Sequence, residues 1–198
     1  MSRKIVLASN NAGKLAELSQ MLAPLGFELH PQAEFGVPEA DEPFGTFVEN
    51  ALAKARHASR LTGLPALADD SGICANALGG EPGVHSARYA GEPKSDARNN
   101  QKLVEALAAQ ADKSANYYCV LVYVRHADDP QPLIADGRWQ GEVVATPRGQ
   151  GGFGYDPHFW LPPQQCTAAE LSSDEKNRLS HRGQALAALT EKLRSSLV

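Results

Sequence analysis

Cysteine is scarce in this sequence. Cys74, Cys119 and Cys166 are the three among 198 residues, far apart, odd in number and at no metal-ligand spacing. That excludes a disulfide scaffold and a thiolate metal site, and a reducing cytoplasm is the expected location. Long apolar runs are missing too: none approaches the ~20 residues that a bilayer span requires, so no membrane association is expected. Met1-Ser2-Arg3-Lys4 leads into a short strand-like run rather than the apolar core of a signal peptide. Positive charge is not in excess, because 19 Lys and Arg stand against 23 Asp and Glu, for a net charge of −4. A duplex-binding surface needs a basic stripe, so no nucleic-acid partner is expected. A few focused charges still suffice to hold a small anion.

What is present has the pattern of an α/β protein. Lys4 to Ala8 reads as a buried strand, and Leu15, Leu18, Met21 and Leu22 follow with helical spacing. Phe27 to His30 then alternates as a second strand, completing a β-α-β opening. A long helix is expected over about Thr46 to Thr62, stopped by Gly63, and another over about Asp96 to Ala109. Tyr117 to Val124, rich in β-branched and aromatic residues, reads as a central strand whose tyrosines pack. Leu133 to Val144 reads as one or two antiparallel strands, broken at Gly137 and Gly141, and His158 to Leu161 as a further strand. Thr167 with Glu170 and Ser172 with Glu175 have capping-box spacing. Leu186, Leu189, Leu193 and Leu197 form the stripe of a C-terminal helix. The chain is long enough for one sizeable core and shows no repeat or linker, so one domain over 1–198 is expected, with room for two lobes.

Several segments have the residue types of a phosphate and metal site. In Leu67-Ala68-Asp69-Asp70-Ser71-Gly72, two acids follow a buried apolar run, and Ser71-Gly72 reads as the turn that places them at a strand end. Acids there can hold a divalent cation, or one can act as a general base. Composition alone reads the same four residues as a polar turn. Ser9-Asn10-Asn11-Ala12-Gly13-Lys14 lies between strand and helix, where backbone N–H groups and a lysine favour an anion. It is not a P-loop, since the first glycine is missing and Leu15 stands where Ser or Thr would hold magnesium. Lys54, with Asn50 one turn earlier on the same helix face, is a second candidate phosphate contact. Taken alone it reads equally as a solvated lysine.

Four glycines in Gly149 to Pro157 let backbone approach a flat ligand, with Phe153 or Tyr155 to stack on a base. Lys176 and Ser180-His181-Arg182-Gly183 bring cationic donors to a helix start, against the helix dipole. Glu42, Asp69 and Asp70 are the acids available for a metal. No Ser-His-Asp or Cys-His arrangement has recognisable spacing, which favours metal-assisted attack by water over covalent catalysis.

Taken in order, these motifs resemble one known family. Ser9 to Lys14, Thr46-Phe47-Val48-Glu49-Asn50-Ala51 with Lys54-Ala55, and Ala68 to Gly72 come first. Gly79-Gly80-Glu81-Pro82-Gly83-Val84-His85-Ser86-Ala87-Arg88-Tyr89, Gly152-Phe153-Gly154-Tyr155-Asp156-Pro157 and Ser180 to Gly183 complete the set. From about Ile5 to the C-terminal helix the chain resembles the inosine triphosphate pyrophosphatase family and its bacterial dITP/XTP pyrophosphatases. One departure is Glu42-Pro43-Phe44-Gly45-Thr46-Phe47, where Phe44 takes the place of a usual glycine.

The resemblance implies a mixed twisted sheet flanked by helices, two lobes with an active-site cleft between them, and a homodimer. It implies magnesium-dependent cleavage of deaminated purine nucleoside triphosphates to monophosphate and pyrophosphate. By the same resemblance, Ser9, Asn10, Asn11, Ala12, Gly13, Lys14 and Lys54 would hold phosphates. Asp70 would be proton acceptor and metal ligand, with Glu42 as second ligand. Ser71, Phe153, Gly154, Tyr155 and Asp156 would contact the nucleotide, while Lys176, His181 and Arg182 would reach the base. The alternatives are a related pyrophosphatase for other modified nucleotides and a non-catalytic nucleotide-binding protein.

Overall fold

The computed structural model describes residues 3–196. Leu197, the last residue of the expected C-terminal stripe, lies outside the described residues, as does the side chain of Met21. β1 (Arg3–Leu7) carries a buried Ile-Val-Leu end, and α1 (Ala12–Leu22) returns the chain to β2 (Phe27–Pro31), which pairs parallel with β1. α2 (Phe47–Thr62) then leads to β3 (Ala66–Ala75), parallel to β1 on its other side. α3 (Asp96–Leu107), β4 (Ser114–Val124), β5 (Leu133–Val143), β6 (Phe159–Leu161), β7 (Cys166–Thr167), α4 (Ser173–Leu179) and α5 (His181–Ser196) complete the chain. The seven strands lie in the order β2-β1-β3-β4-β5-β6-β7. Parallel ladders at one end and the antiparallel β5-β6-β7 ladder at the other make the sheet mixed. The α/β architecture is the expected one.

Two compact units divide the chain: residues 3–70, 119–137 and 184–196 in the first, Ser71–Tyr118 and Arg138–Gly183 in the second. β3, β4 and β5 each pass from one unit to the other. Every unit has its own apolar core. Leu7, Leu18, Leu22, Leu67, Leu121, Leu186 and Leu189 pack in the first, and Ile73, Leu103, Tyr117, Trp139, Phe159 and Leu161 in the second. None of the described helices is long and apolar enough to cross a membrane.

Helix boundaries follow local chemistry. The Thr46 hydroxyl accepts the Glu49 amide to start α2, and Gly63, at φ +69°, ends it. In front of α4, Glu175 accepts the Ser172 amide at 3.1 Å while Ser172 accepts that of Glu175, a complete capping box. The other expected box is also made, with Glu170 accepting the Thr167 amide at 2.7 Å, but it opens only a three-residue 3₁₀ turn.

Two glycine readings are corrected. Ser71-Gly72 is not a turn: β3 runs straight through it to Ala75, so the acids lie mid-strand. A Cβ on Gly72 would collide with the Gly83 carbonyl oxygen and the Ser86 hydroxyl, so the residue is there for close backbone approach. Likewise Gly137 and Gly141 do not break β5. A Cβ on Gly141 would lie 2.6 Å from the Trp160 carbonyl oxygen and 2.7 Å from the Phe159 ring, against the neighbouring strand.

Gly72→Ala is therefore expected to lower stability by about 1–3 kcal/mol through overpacking. Gly45→Ala, whose added Cβ meets nothing within 4 Å, should leave the urea midpoint unchanged. Paired urea titrations of the two variants check this.

Candidate active site

Successive residues of a strand point to opposite faces, so the two adjacent acids of β3 have different surroundings. Asp69 is 1% exposed. Its Oδ1 is ion-paired with Lys14, and its Oδ2 accepts the Cys119 thiol at 3.1 Å. Asp70 instead faces Lys54, whose ammonium donates to Asp70 Oδ1 at 3.1 Å, Glu42 Oε1 at 2.7 Å and the Asp69 carbonyl at 2.8 Å. Those are all three donors that an ammonium has. Lys54 is thus not the solvated helix lysine that its position alone would suggest.

Asn50, one turn before Lys54, explains how Glu42 gets there. Its side-chain carbonyl accepts the Phe44 amide and its amide group donates to the Phe44 carbonyl, both at 3.1 Å. This clamp sets the course of the 42–46 loop around Phe44, the residue in the usual glycine place, and brings Glu42 to Lys54.

Burial raises the Asp70 carboxyl above its ordinary value; Lys54 opposes that rise and Glu42 adds to it. For Lys54, burial works against the charge, but Asp70 and Glu42 outweigh it and hold the ammonium above its usual range. Asp70 Oδ2 is buried and has no hydrogen-bond partner among the described residues. A buried carboxylate oxygen left in this state is costly, and a cation or water oxygen-site ligand would satisfy it.

The 9–14 segment is a capped helix start. Asn11 Oδ1 accepts the Lys14 amide at 3.0 Å, and the Ser9 hydroxyl accepts the Asn11 amide at 3.1 Å. The α-helical pattern leaves the Ala12 and Gly13 amides without an intrahelical acceptor. Asn10 is exposed, with a long 3.4 Å contact to Glu39.

In the second unit, Asp156 organises a separate cluster. It is 3% exposed and accepts from Lys176 Nζ at 2.7 Å, the Phe153 amide at 2.9 Å and the Tyr117 hydroxyl at 3.2 Å. Lys176 lies 4.5 Å above the Phe153 ring centre, and the Arg182 guanidinium 5.8 Å from it. Arg182, fully buried, donates to the Ser71 hydroxyl at 3.2 Å. The His181 ring is stacked on Tyr117 with centroids 4.6 Å apart and planes 6° from parallel.

Phe153, Asp156, Lys176 and Arg182 are therefore brought together, as are Ser71 with Arg182. Tyr155 is not part of that group. It is a core residue whose hydroxyl donates to the Ser86 carbonyl at 2.7 Å, so it is not available to stack on a base. The glycine-dense loop is also largely occupied by protein. Cβ atoms on Gly149 and Gly151 would meet the Ala169 backbone, and one on Gly152 would meet the Asp156 carboxylate. Gly154 alone of these has open space, and its carbonyl is held by Asn100 at 2.8 Å. Sequence reading missed Tyr117, Cys119 and Asn100. The alternation of β4 points Tyr117 and Cys119 the same way and marks Tyr117 as a packing ring, which it is, but gives no sign of its contact with His181.

No group of three or more His, Cys, Asp and Glu able to hold a metal occurs among the described residues. Glu42 and Asp70 are two hard-oxygen carboxylates around one ammonium. That inventory suits an ion such as magnesium, which takes one or two carboxylates and completes its shell with water and substrate phosphates.

The comparisons with known proteins agree with one another. The model of the Ham1 family matches residues 5–192. A dITP/XTP pyrophosphatase of Ralstonia nicotianae is 71% identical over 195 residues, covering 97% of each chain. One of Nitrosomonas europaea is 70% identical, over 96% of this chain and 94% of its own. A solved HAM1 protein from Coxiella burnetii superposes with a TM-score of 0.91 at 52% identity, covering 98% of this chain and 99% of that one. With a family match across nearly its whole length and relatives this close, the chain belongs to the Ham1 family.

Proposed function

We propose that this protein hydrolyses deaminated purine nucleoside triphosphates, dITP or ITP and XTP or dXTP, to the monophosphate and pyrophosphate. It is a nucleoside triphosphate pyrophosphatase that removes such nucleotides from the pool. The activity named for its close relatives supports the substrate class. Asp70 carries the chemistry: a buried carboxylate with one oxygen held by Lys54 and the other without a partner among the described residues.

The triphosphate is held by the Ala12 and Gly13 amides, Lys14 and Lys54. Lys14 is paired with Asp69, and Lys54 with Glu42 and Asp70; each ammonium offers its charge to the phosphate oxygens. Asp70 takes the proton from the attacking water. Its raised pKa makes it a stronger base than an exposed aspartate. A magnesium ion held by Glu42 and Asp70 would supply charge neutralisation at the phosphate oxygens. The family resemblance extends the reading to a cytoplasmic homodimer.

Base selection follows from donors. Hypoxanthine and xanthine present an oxygen at position 6, where adenine presents an amino group. Donors on His181, Arg182 and Lys176 would be satisfied by the oxygen and left unpaired by adenine. A site built on such hydrogen bonds rejects the mismatched group by up to ~10⁴-fold. Phe153, with cations over its ring, is the aromatic surface on which the base stacks.

Pyrophosphate release measured with ITP, XTP, dUTP and GTP tests the substrate class; equal turnover of all four would overturn it. Asp70→Asn should keep nucleotide affinity within a few-fold while kcat falls by about 10²-fold or more, the usual worth of a general base. Burial and Glu42 raise the Asp70 pKa, and the base must be deprotonated. The profile of kcat/KM therefore falls as pH drops through that raised value. Removing the Glu42 charge in Glu42→Gln should move this acid limb to lower pH. Arg182→Ala should narrow the preference for ITP over ATP by about tenfold or more, read from the ratio of kcat/KM values.

A further inference from the structure

We infer that Tyr117 is a positioning residue for base recognition, one side chain that sets the places of both His181 and Lys176. This rests on the reading above that those two residues meet the base. The geometry is specific on both edges of the ring. One face of Tyr117 lies parallel to His181, at 4.6 Å and 6°. Its hydroxyl donates to Asp156 Oδ1, while Asp156 Oδ2 accepts from Lys176 Nζ and from the Phe153 amide. Moving the tyrosine would thus tilt the imidazole, shift the carboxylate that holds the lysine, and disturb the start of the Phe153 segment.

The ring itself is firmly held. Phe159 meets it edge-on at 4.6 Å and 64°, and Trp139 lies 6.5 Å away at 25°, within stacking distance of His181 as well. Tyr117 is 7% exposed and sits in β4, a regular strand, so its placement is set by the sheet rather than by a loop. Burial and the neighbouring Asp156 push its phenol well above the ordinary range. The hydroxyl accordingly remains a donor to Asp156 at any working pH. No substrate atom has to touch Tyr117 for these effects; it acts through its neighbours.

Two variants separate the ring from the hydroxyl. Tyr117→Phe keeps the stack and removes the donor to Asp156; Tyr117→Leu removes both. For Tyr117→Leu the expected result is a rise in KM for ITP of about 3–10-fold, the worth of an aromatic stack, and a lower ITP:ATP ratio of kcat/KM. kcat with ITP should change far less, because Asp70 is untouched. Tyr117→Phe should show a smaller change in the same direction.

The His181 ring protons give a readout independent of turnover. In wild type they should resonate upfield from the Tyr117 ring current, stay there in Tyr117→Phe, and move downfield in Tyr117→Leu. If Tyr117→Leu does not fold, the Phe variant decides. Unchanged KM and ITP:ATP ratio in the folded variants would overturn the positioning role, as would wild-type His181 protons without an upfield shift. Failure of the functional reading looks different: wild-type protein would release no pyrophosphate from ITP.

Discussion

A single buried ammonium ties the first unit's chemistry together. Lys54 places its three hydrogens on Glu42, the Asp69 carbonyl and Asp70, acceptors supplied by the loop before α2 and by β3. Glu42 arrives because Asn50 clamps Phe44. Lys54 is aimed inward because α2 starts at the Thr46 cap and keeps its register for two turns. Asp69 and Asp70 are present because β3 continues past them. Two carboxylates this close would repel, and burial would penalise each; the ammonium between them makes the arrangement tolerable. Leaving such charges uncompensated typically costs about 3–5 kcal/mol.

The second unit solves a different problem with different means. Its cations, Lys176 and Arg182, are held by one carboxylate, one hydroxyl and the face of Phe153. The His181 ring lies flat against the Tyr117 ring. Directional donors held on an aromatic bed suit the recognition of a planar heterocycle by its edge. A flexible lysine–carboxylate pair suits a polyphosphate, whose charge matters more than its exact outline.

Much of this was legible in the residues. The β-α-β opening, the span of α2 with both its ends, the central position of β4 and the two capping boxes all follow from local chemistry and periodicity. Glycine was where the reading went astray, for one physical reason. The residue serves both where backbone must turn and where a neighbour leaves no room for a Cβ, and sequence does not distinguish the two. Gly72 and Gly141 belong to the second kind. Tyr117 packs in the core against Trp139 and Phe159, as its strand pattern predicts, and its ring also lies against His181, a contact that no spacing announces. Tyr155, between glycines, looks available to a ligand but packs in the core with its hydroxyl on the Ser86 carbonyl.

The adjacent acids show how strand geometry divides labour between identical side chains. Alternation sends Asp69 and Asp70 to opposite faces. Asp69 meets Lys14 and Cys119, with both of its oxygens engaged. Among the described residues, Asp70 accepts from Lys54 through one oxygen, and its other oxygen is buried with no hydrogen-bond partner. A carboxylate engaged at both oxygens by a lysine and a thiol is poorly placed to accept a further proton. One with an idle lone pair and a raised pKa is suited to do so. Had Ser71-Gly72 formed a turn, both acids would lie at a flexible strand end and this difference would fade. The continuous strand through Gly72 is what keeps the two environments apart, and that difference is what favours Asp70 over Asp69 as the proposed base.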